Sequence, residues 1–119
     1  MALHNELGKK GEELAVAFLF KHGYEILETN WICGKAEIDI IARKGNLLAV
    51  VEVKTRSSVV FGLPQDFVTP KKIQMLTKAV NEFVQSYALD CEVRFDIIGV
   101  TLTQTGHEIE HLCDAFYYF

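Results

Sequence analysis

Cysteine is scarce in this 119-residue chain, and none of its three cysteines forms a Cys-x-x-Cys pair. Cys33, Cys91 and Cys113 are odd in number and far apart, which argues against a disulfide framework or a structural zinc site and fits a reducing, cytoplasmic setting. The first residues, Met1-Ala2-Leu3-His4-Asn5-Glu6, lack the basic and apolar regions of a signal peptide. No uninterrupted apolar stretch is long enough to span a bilayer, so no membrane partner is expected. Internal repeats, low-complexity tracts and interdomain linkers are missing as well. With 50% hydrophobic and 24% charged residues, one compact domain over residues 1–119 is expected.

Basic residues are nearly missing from the end of the chain. Residues 79–119 hold 1 Lys/Arg against 7 Asp/Glu, whereas residues 1–78 hold 11 against 9. The net charge of −4 would disfavour a nucleic-acid binder if it were evenly spread. Three acids of the first part, Glu12, Asp39 and Glu52, are candidate metal ligands, which leaves the remaining surface there basic and compatible with a positive binding face.

Apolar or small residues at Leu7, Gly11, Leu14, Ala15, Phe18 and Leu19 predict an amphipathic helix over residues 6–22, closed by Gly23. Gly11 lies at the centre of the stripe and predicts a close approach of helix to sheet. Strands are expected at residues 24–30, 36–43, 47–56, 92–102 and 107–112, with a loop at residues 62–66. Thr69 is the expected N-cap of a second helix with Pro70 at its first position. The resulting order, αβββαββ, predicts an α/β (α+β) fold with a mixed central sheet flanked by helices.

What this chain does have is two acids inside apolar, β-branched runs: Asp39 in Ile38-Asp39-Ile40-Ile41 and Glu52 in Val50-Val51-Glu52-Val53. An unpaired buried carboxylate is costly. Between the runs, Lys44-Gly45-Asn46-Leu47 reads as a tight hairpin. A two-residue Gly45-Asn46 loop sets Asp39 opposite Glu52 and Glu37 opposite Lys54, whereas a three-residue loop would offset them. Like charges roughly 5 Å apart at Cβ destabilise a sheet unless a cation sits between them. The register therefore predicts a divalent-metal site. Hard oxygen ligands suit Mg²⁺ or Mn²⁺, and such an ion activates water for phosphodiester hydrolysis. Lys54, on the Glu52 face with Arg56, can orient that water or stabilise charge on phosphorus. The alternative is an edge hairpin with solvated Glu–Lys pairs. The flanking Ile40-Ile41 and Leu48-Ala49-Val50-Val51, apolar on both faces as in an internal strand, favour the metal site. On helix 1, Glu12 falls at the boundary of the buried face and Glu13 on the solvent side, so Glu12 is the acid able to reach the site. A solvated helix charge is the alternative for Glu12.

The segments Gly8-Lys9-Lys10-Gly11-Glu12-Glu13-Leu14-Ala15, Gly23-Tyr24, Asn30-Trp31, Glu37-Ile38-Asp39-Ile40-Ile41 and Glu52-Val53-Lys54-Thr55-Arg56 resemble the small bacterial YraN-like family. Phe61-Gly62, Lys71-Lys72 and Arg94-Phe95-Asp96 continue the likeness along nearly the whole chain. That family belongs to the restriction-endonuclease-like, PD-(D/E)xK superfamily and is similar to archaeal Holliday-junction resolvases. The resemblance implies a helix-flanked mixed sheet, with Asp39, Glu52 and the Val53 carbonyl as metal ligands. It further implies Lys54 as the catalytic lysine and Glu12 as the additional helix acid. Ala36 stands where the family usually has glycine, and Ile38 rather than proline precedes Asp39.

The function expected is a Mg²⁺- or Mn²⁺-dependent endonuclease acting on DNA rather than RNA, branched or structured DNA included. Arg56, Lys71 and Lys72 are candidate phosphate contacts, as is Lys78; each has solvated surface charge as its alternative. A nucleic-acid-binding module that keeps the fold without catalysis is the second reading. A homodimer through the aromatic ending Ala115-Phe116-Tyr117-Tyr118-Phe119 is the third. Arg94 and Asp96 share a strand face and are expected to pair. His107 and His111 lie in a strand-like segment, and even with Cys113 they lack a fourth ligand, so no metal is expected there.

Overall fold

A turn of two residues sets the register of this molecule. Gly45 takes a φ of 61°, a left-handed conformation natural to glycine. Lys44 pairs with Leu47 across it, and the ladder continues through Arg43–Leu48, Ala42–Ala49 and Ile41–Val50 to Ile40–Val51. The computed structural model describes residues 2–57, 69–87 and 89–115, the side chains of residues 2–5 excepted. The loop expected at residues 62–66 and the aromatic ending beyond Ala115 lie outside the described residues.

The elements follow the order expected: α1 (Ala2–Lys21), β1 (Glu25–Cys33), β2 (Ala36–Lys44), β3 (Leu47–Ser57), α2 (Pro70–Ser86), β4 (Glu92–Thr103) and β5 (Gly106–Leu112). The five strands form one sheet in the order β1-β2-β3-β4-β5. Neighbours are antiparallel except β3 and β4, which run parallel. A parallel neighbour requires a crossover, and α2 lies on that connection. This mixed α/β arrangement is consistent with a restriction-endonuclease-like fold.

Two cores lie on opposite faces of the sheet. Ala15 and Leu19 of α1 pack against Ile40, Ala42, Ala49, Val51, Ile98 and Val100. Leu76, Ala79, Val80 and Phe83 of α2 pack against Ile38, Ile41, Leu48, Val50 and Ile97. Phe83 sits edge-on to Trp31 and stacks on Tyr87. β2 and β3 are therefore covered on both faces, which explains their near-continuous apolar sequence. Thr69 caps α2 by accepting the Lys72 N–H, with Pro70 in the first turn. Gly23, with φ 92°, closes α1.

Alternation along β2 breaks at Asp39. Ile40 and Ala42 face α1, but Ile38, two residues before Ile40, packs on the α2 side. Asn30, which lies across from Asp39 between the pairs Thr29–Ile40 and Trp31–Ile38, has a φ of 50°. The disturbance thus crosses both strands at the level of the acid.

Gly11 is where α1 comes closest to the sheet. A Cβ built there would overlap Thr55 Oγ1 and lie 2.8 Å from Thr55 Cβ, whereas one at Gly8 would meet nothing within 4 Å. Gly11→Ala is expected to destabilise the fold by about 1–3 kcal/mol through overpacking. Gly8→Ala should instead add up to about 1 kcal/mol from helix propensity. Urea unfolding of the two variants checks the contrast, and equal effects would contradict the close approach.

Candidate metal centre

β2 and β3 part company where the acids begin. Among the described residues their ladder ends at Ile40–Val51, so the Val53 N–H has no carbonyl across from it on β2. It donates instead to Asp39 Oδ2 at 2.8 Å. The N–H and C=O of one extended residue leave the strand on the same side, so the Val53 carbonyl also opens toward this gap. On its other side Val53 pairs with Ile98 of β4. The expected cross-strand pair of Glu37 with Lys54 does not form, because the ladder stops before reaching it.

The two acids nevertheless meet. Glu52 is only 6% exposed and Asp39 is half-buried. Burial, then the Glu52 charge and a side-chain hydrogen bond with Glu52, push the Asp39 carboxyl from 3.8 up to about 8. The bond from Val53 opposes this rise without cancelling it, and the Glu12 charge adds the smallest contribution. Glu12 therefore acts on the pair from α1, where it is half-buried while Glu13 is exposed. Lys54 stands on the same strand face as Glu52. Burial and the neighbouring Lys72 charge lower its pKa, while Glu52 and Asp39 pull the other way.

Lys72 of α2 completes the group, its Nζ lying 3.0 Å from Glu52 Oε2. Asp39, Glu52, Lys71, Lys72, Thr69 and Lys35 line one cleft of about 360 Å³ between the sheet and the start of α2. Arg56 lies elsewhere, lining a separate cleft with Glu108 and Glu110 of β5. Lys78 borders an adjoining apolar cleft with Cys33 and Met75. Sequence reasoning missed Lys35 and the Lys72–Glu52 ion pair. The second was within reach, since Thr69-Pro70 fixes the start of α2 and hence the level of Lys72.

The donor set fits a hard divalent cation. Two neighbouring acids taken out of water, with a backbone carbonyl facing their gap, describe a place short of positive charge.

A second cluster lies at β4 and β5. Asp96, His111 and Cys113 bring ligand atoms within 4.8 Å of one another and could hold a metal ion. Asp96 is fully buried, and its oxygens already accept from Arg94 Nε and Nη2 at 2.7 Å each, His111 Nε2 at 2.8 Å and the Asp114 N–H at 3.0 Å. Burial alone would raise the Asp96 carboxyl, but His111, Arg94 and the Asp114 N–H together hold it below its usual value. Arg94 also donates to Tyr24 Oη at 2.7 Å, so the expected Arg94–Asp96 pair is part of a larger clasp. His111 Nε2 serves both Asp96 and Cys113 Sγ, so the imidazole cannot relay a proton between them through its two nitrogens. Burial and Asp96 raise the Cys113 thiol, which disfavours a nucleophilic thiolate. No helix of the described residues is long and apolar enough to cross a membrane.

Comparison with known proteins gives one consistent result. The family model "Uncharacterised protein family UPF0102" matches residues 11–100. A UPF0102 protein of Flavobacterium psychrophilum is 65% identical over 119 residues, covering 100% of both chains. One from Christiangramia forsetii is 61% identical, again over 100% of both. A UPF0102 protein of Phocaeicola vulgatus is 48% identical over 98% of this chain and 97% of its own.

The Asp39 proton carries a stability signature. With its folded pKa raised to about 8 from 3.8, the folded state holds a proton that the unfolded state has lost in between. Stability of the metal-free protein must therefore fall as pH rises through that window. In EDTA the Tm should drop by several degrees from pH 5 to pH 8.5. Asp39→Asn, which can still accept from Val53, should flatten the decline. A variant that tracks the wild type across the range would contradict the raised Asp39 carboxyl.

Proposed function

The chain belongs to the UPF0102, or YraN, family of the restriction-endonuclease-like superfamily, and we propose that it is a divalent-metal-dependent endonuclease hydrolysing phosphodiester bonds in DNA, branched or structured DNA included. The observation that carries this reading is the Asp39–Glu52 pair, pressed together in a cleft whose rim bears Lys35, Lys71 and Lys72. A pure binding surface for phosphate gains nothing from two desolvated carboxylates at its centre.

Asp39 and Glu52 would hold Mg²⁺ or Mn²⁺ with the Val53 carbonyl, and Glu12 would add charge from α1. The bound ion supplies Lewis acidity toward a phosphate oxygen and a water. Hydrolysis breaks one P–O ester bond, whose leaving oxygen takes up a proton from solvent, and forms one P–O bond from water, which gives up a proton. Lys54 is suited to receive or steer that proton, because its lowered pKa makes the neutral amine easier to reach. The Val53 N–H keeps Asp39 from rotating away. Lys71 and Lys35 face incoming phosphates, and Arg56 would contact a strand only beyond the β4–β5 side of the cleft.

One observation favours the second reading, a DNA-binding module without catalysis: Lys72 already partners Glu52, so the acid pair is partly compensated by the protein itself. Cleavage assays with Mn²⁺ on plasmid, single-stranded, flap and four-way-junction DNA separate the two. The endonuclease reading expects cutting of at least one substrate, reduced by about 10²-fold or more in Lys54→Ala and abolished in Asp39→Ala. Binding to all four without cleavage would favour the module. Mn²⁺ should also raise the Tm of the wild type and leave that of Asp39→Ala unchanged, since only a native-state ligand stabilises.

A further inference from the structure

Glu52 is not waiting for its first cation. Lys72 Nζ sits 3.0 Å from Oε2, and the Glu52 side chain is 7% exposed against 36% for Lys72. The two lysines of the cleft rim differ in this respect: Lys71 lines the same cleft but makes no ion pair with Asp39 or Glu52 among the described contacts. Lys72 arises from the first turn of α2, where its N–H is fixed by Thr69. Its backbone is therefore held, while its long side chain is 36% exposed.

A divalent cation between Asp39 and Glu52 would stand within a few ångströms of this ammonium. Two cations at such range in a desolvated cleft repel strongly. Lys54 and Lys72 are both half-buried, but Lys54 rises from β3, which pairs with β4 along this stretch. Lys72 rises from the first turn of α2, at the rim of the cleft. Once off Glu52, its ammonium lies on the same rim as Lys71 and Lys35, where the phosphates of a bound strand would run.

We propose that Lys72 is an internal counter-ion of Glu52, displaced when a divalent cation enters and thereby released to bind a nucleic-acid phosphate. The inference rests on the metal-centre reading above and adds regulation to it. Removing the ammonium empties the Glu52 position and favours the metal; loading the metal frees the ammonium and favours the nucleic acid. Thermodynamic reciprocity then requires that nucleic acid strengthen metal binding by the same factor. Lys72 is a positioning residue in this scheme, since it acts on the ligand Glu52 and on phosphate, with no contact to the attacking water.

Calorimetric titration with Mn²⁺, without any substrate, tests the first half. Lys72→Met should bind Mn²⁺ about tenfold more tightly than wild type, and Lys72→Gln should do the same, whereas Lys71→Met should change affinity by less than about threefold because its charge is exposed and screened by solvent. Fluorescence anisotropy with labelled DNA tests the second half, using Ca²⁺ as an oxygen-seeking probe ion. Ca²⁺ should strengthen DNA binding by wild type, and most of that gain should vanish in Lys72→Met. Unchanged or weaker Mn²⁺ affinity in both Lys72 variants would overturn the counter-ion, as would an equal gain in Lys71→Met. Asp39→Ala distinguishes the two levels. If it binds Mn²⁺ as well as wild type, the metal centre itself is misplaced and the counter-ion falls with it. If Mn²⁺ binding depends on Asp39 but ignores Lys72, only the counter-ion is wrong.

Discussion

An amide N–H inside a sheet must find an acceptor, and at Val53 the acceptor is a side chain. That single hydrogen bond to Asp39 lies where β2 and β3 separate, and the chemistry of the cleft follows from it. The bond holds the Asp39 carboxylate in the gap, beside Glu52, at the level where β2 changes which residues it presents to α1 and α2. Had the ladder continued, the Val53 N–H and C=O would both have bonded to the β2 backbone and no gap would exist for a third party to enter. The opening is affordable because β3 keeps its parallel partner β4 throughout this region.

Two aspartates among the described residues, Asp96 fully buried and Asp39 half-buried, have opposite electrostatics. Asp96 is surrounded by donors from Arg94, His111 and the Asp114 N–H, and stays ionised. Asp39 receives one backbone donor and a rival carboxylate, and stays protonated near neutrality. The first arrangement ties β4 to β5, α1's neighbour Tyr24 and the turn after β5, which is structural work. The second leaves an electrostatic deficit inside an open cleft. Perturbed carboxyls of that kind mark functional places more often than structural ones.

Much of this was legible in the sequence. Gly45-Asn46 fixed the β2–β3 register because a two-residue hairpin leaves no freedom, and Thr69-Pro70 fixed the start of α2 because both residues have narrow backbone roles. Gly11 announced the close approach that Thr55 makes physical. The site was legible to the extent that register governs it: the turn carries the ladder to Ile40–Val51, one step short of Asp39 and Glu52, whose carboxyls still meet. It ceased to be legible where the ladder ends, since strand divergence depends on twist and packing that no local pattern encodes. Glu37 and Lys54 therefore missed each other. The contribution of Lys72 and Lys35 is tertiary, arising from how α2 docks, and the separation of Arg56 from the other basic residues comes from the β4–β5 side of the sheet. The Tyr24–Arg94–Asp96–His111 clasp joins residues far apart in the chain, of which sequence reading caught only the i, i+2 pair.

The parallel pairing of β3 with β4 has a kinetic side. The hairpin that carries both acids closes through a two-residue turn, a local event on the microsecond scale. The crossover through α2 spans a far longer loop and must wait for slower chain closure. Where the hairpin leads, the acids meet in water, where repulsion is weak. The helix that then takes their hydration away is also the element that carries Lys72 against Glu52.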